Sequence, residues 1–162
     1  MADPKAEAGI GPQNIAHAAK FRPAIVSSDP ATPVYTAKGV PLGFTLGSWL
    51  GAKGKASIML ATGGAAEITV EFTGLRPRGV YSLFENHFDQ KPIGFTPLDG
   101  KGSANSFTAD AKGSAKITVR APQALTNVNA VLLVYHSDGQ SHGESRGEIG
   151  VNAHHQLIAK IP

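Results

Sequence analysis

The sequence predicts an all-β domain, on two observations. Nineteen glycines and eleven prolines punctuate the 162 residues, alternating with short apolar stretches rather than long ones, which is the spacing of strands joined by turns. Within one stretch, AEITVEF (66–72), Ile68, Val70 and Phe72 alternate with Glu67, Thr69 and Glu71, the period-2 pattern of a strand with one dry and one wet face.

Taken in order, residues 1–43 are rich in Ala, Pro and small polar residues and read as a partly irregular arm. Within the arm, QNIAHAAKF (13–21) suggests a short helix, and AIV (24–26) and VYT (34–36) read as extended. Residues 44–162 form the domain proper. The segment PLGFTLGSWLGAKG (41–54) carries the single Trp, and GKASIML (54–60) reads as a strand that ATGG turns back into 66–72. TGLRPRG (73–79) is a turn, and VYSLFENHF (80–88) is a more continuously apolar strand, dry on both faces near its start. Residues 89–106 read as one long loop, a length that is uncommon in compact domains and often functional. SFTADAKGSAKITVR (106–120) reads as strand, turn, strand, followed by NAVLLVYH (129–136) and a last strand in HQLIAKIP (155–162). The count is about eight strands.

Composition narrows the function. The chain has no cysteine, so disulfides, thiolate nucleophiles and thiolate-ligated metals are excluded, and a metal is expected to bind through His, carboxylate or backbone oxygen. Its net charge of +3 is mild and its Lys and Arg are scattered singly, against nucleic acid as a partner. No apolar run reaches membrane-spanning length, and the N-terminus lacks the basic and apolar regions of a signal peptide.

The most informative segment is VLLVYHSDGQSHGESRGEIG (131–150), an apolar strand that ends on His136 and opens into a loop carrying Asp138, His142, Glu144 and Arg146. Sandwich loops cluster at the two ends of the fold. His136 and His142 are therefore candidates for one ion, completed by His154 or His155 and by Asp138 or Glu144, with His87 as a further candidate. Such N/O ligation suits zinc or copper(II). Adjacent His154 and His155 on a strand point to opposite faces, so at most one of them joins. A hydrolase reading takes Ser137 or Ser141 as nucleophile, His142 as base and Asp138 as its orienting group, but the chain has no G-x-S-x-G turn. Phe44, Trp49 and Leu50 read as a plug over one end of the sandwich, or as an aromatic platform for a sugar or peptide.

The order of GKASIML, ITVEFTGLRPRGVYSLFENHFD, SFTADAKGSAKITV and NAVLLVYHSDG resembles the copper/zinc superoxide dismutases over roughly two-thirds of the chain. The resemblance implies a Greek-key β-sandwich of about eight strands behind an extended N-terminal arm. It does not imply dismutation. The family's H-x-H copper pair aligns with Ser82 and Phe84, the stretch matching its zinc loop holds no His, its two cysteines are missing, and only His136 falls on a ligand position. The segments LGSWL, YHSDGQSHG and AHHQL are similar to those of small exported bacterial sandwich proteins of unknown function, which implies a periplasmic or secreted location. The expectation is thus a non-catalytic binding or structural module without a cofactor, self-associating through its arm or a sheet edge. The alternative is a His-mediated copper or zinc protein that sequesters or delivers its ion, and the third reading is an enzyme built on the His136 loop.

Overall fold

A computed structural model describes residues 29–161; the expected helix at 13–21, the extended 24–26 and His17 lie outside them. The described chain is all-β, with ten strands in three antiparallel sheets.

A hairpin comes first, β1 (Pro33–Tyr35) against β2 (Pro41–Thr45), so pairing starts inside the segment read as an arm and crosses its boundary at residue 43. The helix α1 (Leu46–Leu50) follows directly. Thr45 caps it reciprocally: its hydroxyl accepts the Ser48 N–H, and the Ser48 hydroxyl accepts the Thr45 N–H. Both donors would otherwise be orphaned at a helix start. The hairpin is tied to its own domain by the Ala37 N–H, which donates to the Gly150 carbonyl.

One main sheet has the order β3 (Lys53–Leu60), β4 (Ala66–Thr73), β8 (Ala115–Ala121). The alternation of residues 66–72 is realised, with Ala66, Ile68, Val70 and Phe72 buried and Glu67 and Glu71 exposed. On the wet face the Thr69 and Thr118 hydroxyls pair across strands at 2.8 Å.

The other main sheet has the order β10 (Ala153–Lys160), β9 (Asn129–His136), β5 (Val80–His87), with β6 (Gly94–Pro97) and β7 (Ser106–Thr108) sharing the far side of β5. All eight residues of β9 are buried. Val131, Leu133 and Tyr135 pack between the two sheets with Ile68, Val70, Leu83 and Val119. Leu132 and Val134 face outward, where they pack with Phe84, Ala153 and the partly buried Phe95 and Ile149. This outer face is covered by loops, which is why β9 reads as an unbroken apolar run rather than an alternating one.

Two strands exceed the expected eight. One is β2, in the segment that holds the Trp. The other, β6, lies in the stretch expected to be a structureless loop, where Gly94 and Pro97 at its ends mask a short pairing with β5. The rest of that stretch is organised by Asp99, whose carboxylate accepts the backbone N–H groups of Lys101, Gly102, Ser103 and Ala104. Burial alone would raise this carboxyl, but the four donors hold it below the usual range. Among the described residues, no helix is long and apolar enough to cross a membrane.

Candidate functional site

Strand β9 delivers His136 to the outer face of its sheet, two residues beyond Val134, opposite Val80 of β5 and Ala153 of β10. The side chain is 1% exposed. Its Nε2 lies 2.8 Å from the hydroxyl of Ser82, a diagonal neighbour on β5. Its Nδ1 is buried and has no hydrogen-bond partner among the described residues. Burial, with the neighbouring His142 adding to it, lowers the His136 pKa to about 4. The ring is therefore neutral at pH 7, the form that ligates metal.

Beyond His136 the chain turns at once, with the Gly139 N–H donating to the His136 carbonyl. That turn brings His142 back over the strand end, its ring centroid 5.2 Å from that of His136. Asp138 Oδ2 and His142 Nε2 are 3.0 Å apart. His136, Asp138 and His142 each present one ligating atom, all within 4.8 Å of one another. Behind this loop stands Gly102, at φ +70°; a Cβ on it would sit 2.3 Å from the Gly143 carbonyl carbon. The Asp99 turn thus presses directly on the residue after His142.

The remaining sequence candidates are placed elsewhere. His155 shares the outer face with His136, in register with Val134. Its Nε2, however, accepts from the Arg146 guanidinium at 3.0 Å, and that guanidinium lies 3.3 Å over the Phe95 ring. Burial lowers the Arg146 pKa to about 10. His154 pairs with Tyr135 and faces the inner side, where its Nε2 is 2.9 Å from the Ser137 hydroxyl, which itself donates to the Val151 carbonyl. Burial lowers its pKa to about 4 as well.

His87 corrects the expectation of convergence. It pairs with Asn129 at the opposite end of β5, seven positions from the Val80–His136 pair, or about 23 Å at the rise of a strand. There its Nε2 is 2.9 Å from the Thr96 hydroxyl and its Nδ1 3.7 Å from Glu85. The carboxylate in the cluster is Asp138 rather than the exposed Glu144. The proposed serine triad is not assembled as read: Asp138 does hold His142, but Ser137 is bonded to His154, and Ser141 accepts the Gly143 N–H.

Trp49 is 4% exposed and stacks on Phe44 at 5.3 Å with the planes 4° apart, while Leu50 is exposed. Sequence reasoning gave Ser82 no role. Its signal is strand parity, since Ser82 pairs with Val134 and Phe84 with Leu132, which puts both on the face of β5 that meets the His136 side of β9. A comparison with protein-family models and with curated proteins finds no match to this chain.

Proposed function

We propose that the chain is a non-catalytic β-sandwich module that binds one divalent ion, copper(II) or zinc, through His136, Asp138 and His142. The observation that carries this is the Nδ1 of His136, a buried nitrogen with no partner, on a ring that lies against the His142–Asp138 pair. An unpaired buried polar atom costs about 1–3 kcal/mol. The nitrogen is buried and unpartnered among the described residues, and an ion would bond it at about 2.0–2.1 Å. Ser82, by holding Nε2, leaves Nδ1 as the nitrogen that ligates, the fixing of orientation and tautomer that outer partners give metal-bound imidazoles.

The scaffold reading goes with this one. A dismutase-like Greek-key arrangement is supported by a buried strand ending in His136 beside Ser82 and Phe84 on β5. With a hydroxyl and a phenyl ring at the family's imidazole positions, the donor set is two imidazoles and a carboxylate, suited to holding or handing on an ion rather than cycling its charge. An exported setting follows from the similarity of LGSWL, YHSDGQSHG and AHHQL to exported sandwich proteins.

Calorimetric titration of untagged protein with Zn²⁺ and with Cu²⁺, alongside elemental analysis, tests the reading. One ion per chain is expected. His142→Ala and Asp138→Asn remove ligands and abolish tight binding, while Ser82→Ala removes only an orienting partner and weakens it about 10- to 100-fold. Wild-type protein that takes up neither ion, or ligand variants that bind as tightly as wild type, would overturn the assignment.

A further inference from the structure

The two main sheets leave one flank open. Among the described residues, β3 has β4 as its only hydrogen-bonded neighbour and β10 has only β9, and these two edges stand side by side. A Cβ on Gly54 of β3 would lie 3.5 Å from the Leu157 side chain of β10. A cleft of about 80 Å³ runs between them, with Ala56, Leu157 and Ala159 in its walls. Apolar side chains that pack toward the core are only partly buried on this flank, among them Ala56, Ile58, Leu157 and Ile161. At the end of β3, Met59 and Leu60 are 60% and 80% exposed.

Unpaired sheet edges are usually blunted by a bulge, a proline or a charge, because their free N–H and C=O groups otherwise invite another strand. Strand β3 has none of these over residues 56–60. Its eight residues pair with β4 in unbroken register, and its two charges, Lys53 and Lys55, lie together at the other end. The β10 edge differs, since its register shifts between His155 and Leu157, and a bulge of this kind disrupts a ladder. The regular edge with the apolar end is therefore β3.

Charge decides which strand fits it. Beside Met59, in register on β4, stands the exposed Glu67, which makes no ion pair among the described residues. A complementary strand brings apolar side chains to residues 56–60 and a cation within reach of Glu67. An antiparallel copy of β3 does both. Turned about a two-fold axis at Ser57, it sets Ala56 against Ile58 of the second copy and Lys55 against Met59 of the second copy. Lys55 then lies two strand spacings, about 10 Å, from the second copy's Glu67, on the same wet face, a span that the two side chains cover together. The lysines of the two copies are kept apart, and the two-fold repeats each contact. We infer that β3 is a self-association edge, through which two chains pair antiparallel about Ser57 and join their three-stranded sheets into one of six strands.

Sedimentation velocity of the untagged full chain reads the assembly, with a chelator present so that no ion bridges the His136 clusters of two chains. A monomer–dimer equilibrium with Kd of roughly 1–100 µM is expected. Met59→Lys combined with Leu60→Lys, at positions already exposed, should weaken it at least about tenfold. Glu67→Lys should weaken it up to about fivefold, and adding Lys55→Glu should restore the loss, which unspecific apolar contact would not do. The β3 amides that point away from β4 should exchange freely in the monomer and slowly in the dimer. A chain that stays monomeric up to roughly millimolar concentration, or a Met59/Leu60 variant that dimerises as wild type does, overturns the inference. So do outward β3 amides protected alike at every concentration, which would assign this edge to another segment of the same chain.

Discussion

The most decisive prediction concerns acid stability, because two imidazoles are buried as neutral groups within one residue of each other in the β9–β10 register. His136 and His154 are 1% and 2% exposed, and burial places both near pKa 4 in the folded chain. In the unfolded chain each returns to about 6.5. Between these values the unfolded state binds more protons than the folded one, so stability falls as pH falls. The contribution is complete above about pH 6.5 and is lost as pH drops through about 4. For each ring the difference is worth about 3 kcal/mol, and the two together about 6 kcal/mol, against total domain stabilities of about 5–15 kcal/mol. Glu85 works in the opposite direction, since burial raises its carboxyl and so favours the folded state at lower pH. Asp99 and Asp110, both held low, act mainly below this window. Urea unfolding in chelator should therefore show a loss of several kcal/mol between about pH 7 and pH 4. His154→Gln, which removes one titrating ring, should shrink that loss by about 3 kcal/mol. Imidazole NMR titration of wild type is the independent check. Two rings titrating near 6.5, or an unfolding midpoint that does not move across the window, would refute the argument.

Gly102→Ala places a Cβ on the Gly143 backbone at a φ that side chains disfavour; it should cost about 1–3 kcal/mol and weaken ion binding measured by calorimetry, and unchanged affinity would show that the Asp99 turn does not support the His142 loop. Leu133→Ala, between the sheets, should cost about 2–5 kcal/mol in urea unfolding. Thr69→Ala on the wet face of β4 should stay within about 1 kcal/mol, the range of a cross-strand pair. A Thr69 cost equal to that of Leu133 would mean that the two faces of β4 are not distinguished as the structure has them.

How much of this was legible follows from what each signal reports. The alternation of residues 66–72 fixes β4 because one face is wet, and the length of NAVLLVYH fixes β9 because both faces are dry. Neither signal exists for β6, four residues bounded by Gly94 and Pro97, nor for α1, a single turn whose cap pairs Thr45 with Ser48 rather than with the longer acid or amide usual there. The His136–Asp138–His142 cluster was half visible, since all three residues lie within seven positions of sequence and a glycine-bearing turn can close them. What sequence could not supply was register. His87 is a candidate beside His136 because sandwich loops cluster at two ends, yet the antiparallel pairing of β5 with β9 puts the two residues at opposite ends of those strands.

His136, His154 and His155 differ in what already holds each ring, and on the proposed reading that difference separates a ligand from a core imidazole. Strand parity sends His155 to the face of His136 and His154 to the other, but parity alone would leave His155 as good a candidate as His142. The second constraint is what already holds the ring. The Nε2 of His155 is bonded to a guanidinium that is itself stacked on Phe95, and the Nε2 of His154 is tied through Ser137 to a backbone carbonyl. His136 has one nitrogen held by Ser82 and the other buried without a partner. An imidazole fixed at one nitrogen and unmatched at the other is positioned for a ligand that brings no donor or acceptor of its own, and a metal ion is such a ligand. Replacing Arg146 with Gln, whose shorter neutral side chain does not span the same contact, should take the guanidinium off the His155 Nε2 and permit a weaker second mode of ion binding on the outer face. Calorimetry that still shows a single ion in Arg146→Gln, at unchanged affinity, would mean that the guanidinium does not determine which imidazoles ligate.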